Sequence, residues 1–388
     1  MKNKKSLVIY FLAVILLVVF SYALKNTFAY FVANEKGTAT DMKVAKLGYI
    51  LTSADLKDNT ITLKPYEVKK ITINVKNDYD VATIYRLNYE GNVTVLKSSV
   101  SENETKGLID MKSSKDVVLV LKNSTDKNQL VKFTADGGYV GNDLEDGNIT
   151  QVYDETLLLN KVMLENNLVN ENGIYRDTEG TKNYVKIGET VYRVLGVSLI
   201  DDEEYLKLIT NESIGKQLFG ENNNYITSSL NTYLNLEYKN SLNSVIKDNL
   251  KEVTYYTAGV DKVLDNREDY YKYERGNYIA NEGFNKEGKS SIGLMYLSDY
   301  VSSEAWLKTN VTEYTIMPNS SDESKVFCIN YKEDKVVENN EEKIVSTNTI
   351  SSDCNVKTET DVRPVMYLQN KLVVASGAGS LEDPYIIK

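Results

Sequence analysis

The chain has 388 residues, of which 26% are charged and 42% are hydrophobic, and its formal net charge is −10. A chain of this length can bury the cores of two or three domains. A nucleic-acid surface needs clustered Lys and Arg to neutralise phosphates, and no basic cluster occurs after the first five residues. The composition therefore predicts no nucleic-acid partner, and the acidic excess indicates a well-hydrated surface.

Two residue types that support much of enzyme chemistry are scarce. The sequence contains no histidine, which removes the usual general base at neutral pH and the commonest metal ligand. Its two cysteines, Cys328 and Cys354, are too few for a zinc site without histidine. We therefore expect no metal site, no cofactor and no catalytic residues of the common enzyme templates.

The N-terminus has the pattern of an export signal. Lys2, Lys4 and Lys5 precede an uncharged apolar stretch, residues 6–24, which is long enough to span a bilayer as a helix. Small residues within 21–29 also fit cleavage by signal peptidase. Residues 1–29 are therefore predicted to be a signal peptide or an uncleaved signal anchor. In both cases the chain beyond them is extracytoplasmic, either secreted or held at the cell surface by the membrane.

Residues 30–145 are predicted to form an all-β sandwich. Ile71, Ile73 and Val75 alternate with polar residues, as in a strand with one buried face. Further short apolar runs follow, with turn residues about every ten positions, which is typical of an antiparallel sandwich. No chemistry is evident in this part. It serves either in assembly through its strand edges or as a spacer.

Two stretches in this region carry a family resemblance: "NTFAYFVANEKGTATDMKVAKL", which follows the apolar segment, and "TLKPYEVKKITINVKNDYDVATIYRLNY". Over about residues 25–140 the chain resembles TasA/camelysin-type exported matrix proteins of Gram-positive bacteria. The resemblance implies a β-rich matrix protein whose mature chain begins directly after the leader. Tyr66 stands where the family pattern has a glycine, which leaves the tight turn at that position open.

The rest of the chain mixes helix and strand. A partly helical spacing over about residues 154–166 indicates a short helix, so residues 146–182 are predicted to be a helical connector. Residues 183–388 begin with two apolar runs around Gly188, which predict a hairpin, followed by a third strand. Two stretches that begin near Ser228 and Ser241 predict capped helices, before a series of late strands and loops.

Six motifs of this C-terminal part occur in the same order in an uncharacterised domain of Gram-positive surface proteins: "NYVKIGETVYRVLGV", "KLITNESIG", "SSLNTYLN", "IGLMYLSDY", "DVRPVMYL" and "ASGAGSLEDPYII". The resemblance implies an α+β fold of the C-type-lectin-like, formylglycine-generating-enzyme-like kind. Lectins that bind sugar through calcium use a Glu-Pro-Asn or Gln-Pro-Asp triplet. Here Met317-Pro318-Asn319 lacks that carboxylate, so calcium-dependent sugar binding is not expected.

A stretch rich in tyrosine is the candidate binding surface. Residues 255–278 and 314–354 are expected to be the longest irregular segments, and ligands are often bound by such loops. Tyr270, Tyr271, Tyr273 and Arg275 are therefore predicted to contact a ligand, and replacing the three tyrosines is expected to weaken binding without unfolding the domain. The alternative is that these rings partly cover a small core.

Two further pairings are predicted. Outside the cytoplasm an isolated cysteine pair usually forms a disulfide, so Cys328 and Cys354 are expected to be bonded, with two free thiols as the alternative. Arg363 is expected to form a buried ion pair that fixes the last strands, with Asp299 as its partner.

The function that these observations favour is that of a non-catalytic surface or matrix protein, which binds a glycan, a peptide or another surface protein through its C-terminal domain. One alternative is a hydrolase of polysaccharides that uses two carboxylates, drawn from Glu282, Asp299, Glu304 and Asp361. Another is a structural matrix component that polymerises through the β-sandwich.

Overall fold

A computed structural model describes residues 47–388, apart from residues 103, 142–143, 167, 172–173, 178, 202, 275–286 and 339–340. The described chain is mostly β-sheet, as the alternating apolar residues predicted. The predicted leader, residues 1–29, lies outside the described residues. Within the described part, no helix is both long and apolar enough to cross a bilayer.

The early strands form two sheets around one shared core. In chain order the described strands between residues 47 and 153 are β1 (Leu47–Gly48), β2 (Ile50–Thr52), β3 (Thr60–Leu63), β4 (Val68–Lys76), β5 (Thr83–Glu90), β6 (Thr94–Ser98), β7 (Lys106–Ile109), β8 (Ser114–Lys122), β9 (Gln129–Tyr139) and β10 (Val152–Tyr153). The odd-numbered strands make one sheet and the even-numbered strands the other. Ile73 from one sheet and Tyr85 and Phe133 from the other are fully buried in the same cluster. This arrangement fits the predicted sandwich.

Tyr66 makes the turn that the sequence left open. Its φ of 56° lies in the left-handed region that favours glycine. Its N–H donates to the carbonyl of Thr125 at 3.1 Å, and the N–H of Asn123 donates to the carbonyl of Glu67 at 2.9 Å. The Tyr66 ring is partly buried against the larger core formed by later residues. The unfavourable backbone conformation therefore accompanies a contact between the early sheets and the rest of the chain.

The later part contains the helices and a ten-stranded sheet. The described helices are α1 (Leu158–Glu165), α2 (Ser229–Tyr233), α3 (Lys239–Ser241), α4 (Ser244–Asn249), α5 (Arg267–Glu274) and α6 (Leu297–Ser303), with a 3₁₀ turn at Tyr225–Thr227 and a π-helical turn at Leu234–Tyr238. The strands are β11 (Leu168–Glu171), β12 (Ile174–Asp177), β13 (Tyr184–Ile187), β14 (Thr190–Ile200), β15 (Glu203–Thr210), β16 (Lys216–Gln217), β17 (Leu250–Lys251), β18 (Val253–Tyr256), β19 (Glu287–Ser290), β20 (Ile292–Gly293), β21 (Glu313–Pro318), β22 (Lys325–Glu338), β23 (Glu341–Asn355), β24 (Thr360–Asp361), β25 (Val365–Gln369), β26 (Val374–Ser376) and β27 (Tyr385–Ile387).

Local signals in the sequence account for several of these elements. The predicted hairpin is β13–β14, and Gly188 in its turn has a φ of 62°, which glycine adopts without strain. The predicted cap is Ser228, whose hydroxyl accepts from the N–H of Asn231 at 2.9 Å at the start of α2. The predicted connector helix is α1, and it buries Leu158 and Val162 in the larger core.

The expectation of an irregular segment over residues 314–354 is wrong. This region is the antiparallel group β21–β22–β23 at one end of a five-stranded sheet. The middle of the β22–β23 hairpin is exposed on both faces: Lys332, Asp334 and Val345 lie on one face, and Glu333 and Ile344 lie on the other. Because neither face is buried there, the apolar alternation that marks a strand is missing from the sequence.

Candidate ligand pocket

The tyrosines predicted to contact a ligand lie on α5, and two of them face inwards. Tyr270 and Tyr271 are 0% and 5% exposed, and Tyr273 is half-buried against a hydrophobic cluster. The Tyr270 hydroxyl accepts from the N–H of Leu264 at 2.9 Å. The expectation of solvent-exposed loop rings is therefore wrong for Tyr270 and Tyr271, because a helix packs them into the protein. Arg275 lies outside the described residues.

A buried charge cluster explains why this helix is held so closely. The guanidinium of Arg176 donates from Nε to the Tyr271 hydroxyl at 2.7 Å and from Nη1 to Asp299 Oδ1 at 2.6 Å. The other oxygen of Asp299, Oδ2, lies 2.5 Å from the ammonium of Lys207. Burial alone would lower the pKa of Arg176, but Asp299, Tyr271 and Glu274 together raise it above its ordinary value. Arg176 is therefore held charged in the interior.

The predicted partner of Arg363 is incorrect. Arg363 makes a two-pronged pair with Glu313, with 2.5 Å from Nε to Oε2 and from Nη2 to Oε1. Asp299 is engaged elsewhere, because it sits in the first turn of α6, accepts from the N–H of Tyr296 and neutralises the cations described above. Arg363 is nevertheless buried in an ion pair, as expected, and the pair joins the start of β21 to the segment before β25.

The predicted disulfide between Cys328 and Cys354 is present. It joins β22 to β23, and the two Cα atoms are 6.0 Å apart. Cys328 is fully buried, whereas Cys354 is partly buried against the larger core. The bond thus joins the two strands at the base of the long hairpin.

A pocket of about 420 Å³ is lined in part by Tyr296 and Tyr367, whose rings contact Lys207 of the buried charge cluster. It is called the pocket above Lys207. This volume falls within the range of small-molecule sites. The walls come from the start of β12, the end of β14 and the turn after it, the β17–β18 segment, β19 and the end of α5. Tyr296, in front of α6, and Tyr367, on β25, complete the lining. The lining residues are three tyrosines, two hydroxyl residues, five charged residues and four aliphatic residues: Tyr256, Tyr296, Tyr367, Ser198, Thr254, Asp201, Lys251, Glu252, Glu274, Lys289, Ile174, Leu199, Ile200 and Val253.

Strand alternation positions one wall of this pocket. In β18 the side chains of Val253 and Tyr255 enter the core, whereas Thr254 and Tyr256 are half-buried and line the pocket. Lys289 of β19 is the cross-strand partner of Thr254 and therefore shares its face of the ribbon. The sequence pattern around residues 252–256 is the signal that could have identified this wall.

The pocket floor, formed by Tyr296 and Tyr367, contacts the charge cluster through Lys207. The ammonium of Lys207 lies 5.0 Å from the ring centroid of Tyr296 and 5.2 Å from that of Tyr367. The Tyr296 hydroxyl accepts from the N–H of Tyr256 at 3.0 Å, which joins the floor to the β18 wall. Because these contacts link residues far apart in sequence, the sequence alone gave no indication of them.

A second, more open pocket of about 610 Å³ lies beside the disulfide. Two of its three acidic lining residues already interact with neighbours: Asp361 accepts from the Ser213 hydroxyl at 2.8 Å, and Asp353 lies 2.9 Å from the ammonium of Lys325. No aromatic ring lines it among the described residues. The pocket above Lys207 is therefore the stronger candidate for a ligand site.

The carboxylates considered for hydrolysis are dispersed. Asp299 is buried in the charge cluster, Asp361 lines the second pocket, Glu304 is exposed after α6, and Glu282 lies outside the described residues. Asn319 of the Met-Pro-Asn triplet is buried, and its amide donates to the carbonyl of Ser352 at 3.0 Å. Within the described part of the chain, no group of three or more acidic or cysteine residues is arranged to hold a metal ion.

Comparisons with protein-family models, with curated proteins and with solved structures found no match to this chain. The function of the pocket is therefore inferred from its own residues.

Proposed function

We propose that this chain is a non-catalytic, exported protein of the cell surface or matrix that binds an extracellular ligand through the pocket above Lys207. The observation that carries this proposal is a pocket of small-molecule size whose walls combine tyrosine rings with hydroxyl and charged groups. A fixed floor favours binding, because little freedom is lost when a ligand enters. The ligand of this pocket is a glycan or a surface protein.

In this proposal residues 30–145 form a β-sandwich and residues 183–388 form a C-type-lectin-like unit. The connector, residues 146–182, joins the two. The export pattern of residues 1–29 supports an extracytoplasmic location, and the disulfide is weakly compatible with it. The resemblances to TasA/camelysin-type proteins and to the uncharacterised surface domain support the same location. The absence of a basic cluster beyond the N-terminus argues against a nucleic-acid partner.

The test is a pocket-filling variant of the full chain. Thr254→Trp places an indole ring in the pocket, and Thr134→Trp makes the same change on an exposed strand position of the first sheets. Both proteins are titrated onto immobilised wall polysaccharide and onto immobilised surface proteins from Gram-positive cells. We expect the wild type and Thr134→Trp to bind and Thr254→Trp to lose binding. Equal binding by all three proteins would exclude the pocket as the site.

A purely structural matrix role is the second candidate. Exposed apolar side chains on or beside the early sheets favour it: Leu108, Met111 and Tyr139 are 47%, 65% and 53% exposed. Electron microscopy of the concentrated full chain tests this role. Regular fibres that form without any ligand, together with failure of the binding test, would replace the ligand-binding proposal. Release of reducing ends from the same polysaccharide would instead favour a hydrolase.

A further inference from the structure

We infer that the ligand of the pocket above Lys207 is an uncharged saccharide. This inference rests on the proposed function, because it names the class of ligand for the same site. Three features of the lining carry it: the balance of charges, the surroundings of the tyrosine rings, and a buried hydroxyl group.

The lining charges disfavour ligands with a large net charge. An anion near Lys289 would also approach Glu252 and Glu274, whose carboxylates line the same pocket. The other lining lysine, Lys251, already lies 3.8 Å from Asp201 and 4.9 Å from the ring centroid of Tyr205. Like charges in a partly desolvated pocket are costly to bring together. Anionic ligands therefore gain little here.

The floor disfavours a cation. Tyrosine rings attract cations through their faces, but the rings of Tyr296 and Tyr367 each have the Lys207 ammonium about 5 Å from the centroid. A cationic ligand on these rings would share that attraction with a buried cation, and repulsion from Lys289 would offset its attraction to Glu252 and Glu274. The apolar C–H face of a sugar ring does not meet this conflict, and it can pack on the half-buried ring of Tyr256.

The hydrogen-bonding groups match a polyol. Ser198 is 4% exposed and lines the pocket, and its hydroxyl makes no hydrogen bond to any other described residue. Buried hydroxyl groups normally have a partner. Glu252 supplies acceptors, Lys289 supplies donors and Thr254 supplies both, and sugar hydroxyls can pair with each of these groups. The combination of aromatic, donor and acceptor groups thus fits an uncharged saccharide.

The experiment compares three sets of oligosaccharides on the full chain by calorimetric titration. Uncharged oligomers of glucose, galactose, mannose and N-acetylglucosamine are set against cationic glucosamine oligomers and anionic galacturonate oligomers. Tyr256→Ala removes the pocket ring, and Tyr331→Ala removes a half-buried ring of β22 that does not line the pocket. Each titration is repeated at about 0.05 M and about 0.5 M NaCl, because screening weakens only charge-dependent binding.

We expect at least one uncharged oligomer to bind, with a Kd that changes less than about twofold with salt. Tyr256→Ala should weaken this binding about tenfold, and Tyr331→Ala should leave it unchanged. Tighter, salt-sensitive and Tyr256-dependent binding of a charged oligomer would overturn the inference but keep the proposed function. Binding of the immobilised surface proteins that Thr254→Trp abolishes, without binding of any oligosaccharide, would do the same. If Tyr256→Ala weakens no oligosaccharide binding and Thr254→Trp binds the polysaccharide and the surface proteins as well as the wild type does, both the inference and the proposed function fail.

Discussion

The ammonium of Lys207 lies 2.5 Å from Oδ2 of Asp299, and both side chains are 1% exposed. Through its second oxygen, the same carboxylate also pairs with Arg176 at 2.6 Å. Because Lys207 lies against Tyr296 and Tyr367, this carboxylate supports both the interior and the pocket floor. The stability of the C-terminal part and the shape of the proposed site therefore depend on one buried anion.

The first prediction concerns this anion. Asp299→Asn keeps the size of the side chain but leaves two buried cations without their carboxylate, which typically costs about 3–5 kcal/mol. Denaturant unfolding should show this loss as a lower midpoint. Asp353→Asn is the control, because that side chain is 72% exposed, and it should have no measurable effect. Equal midpoints for the two variants would show that the cluster does not stabilise the fold.

The second prediction replaces the earlier expectation for the tyrosines of α5. Tyr270 and Tyr271 are buried, so alanine at each position should cost about 3–5 kcal/mol, and the double variant should lose its cooperative thermal transition. Tyr271→Phe keeps the ring but removes the acceptor of the Arg176 Nε–H, and should cost about 1–3 kcal/mol. A double alanine variant that melts like the wild type would mean that these rings are not part of the core.

The third prediction concerns the disulfide. Cys328 and Cys354 are separated by 26 positions, and closing a loop of this length stabilises a fold by about 3–4 kcal/mol in the loop-entropy model. The Cys328→Ala/Cys354→Ala variant should therefore melt at a lower temperature than the oxidised wild type. Adding a reductant should lower the melting temperature of the wild type but not that of the variant. Insensitivity of both proteins to reductant would contradict a stabilising bond.

The fourth prediction is a loss of stability in alkali. Burial raises the pKa of Tyr85 to about 12, and burial assisted by Glu304 raises the pKa of Tyr300 to about 12. Because the folded pKa lies above the unfolded value of about 10, the contribution of each group is complete below pH 10 and is lost between about pH 10 and pH 12. Each contribution is about 3 kcal/mol. Denaturant unfolding should be measured at several pH values and followed by tyrosinate absorbance. The denaturant midpoint should fall between about pH 10 and pH 12, and a constant midpoint would contradict the prediction.

How much could be predicted from the sequence depends on how far apart the interacting residues are. The β13–β14 hairpin and the Ser228 cap follow from residues within a few positions of each other, and both were predicted. The partners of Asp299 lie 123 and 92 positions away, and many other carboxylates were equally available in the sequence. Tyr66 combines a glycine-like φ with a contact between its ring and a core formed by distant residues, and no local pattern encodes that contact.

The central claim is that ligand binding takes place at the pocket above Lys207. Hydrogen exchange of the full chain, with and without the tightest-binding uncharged oligosaccharide, tests this claim most directly. We predict that the amides of β18 and β19 and of residues 198–200 become protected, because these segments form the pocket wall. Exchange in the early sheets should stay unchanged. Protection confined to the early sheets, or to the β22–β23 hairpin, would contradict the claim.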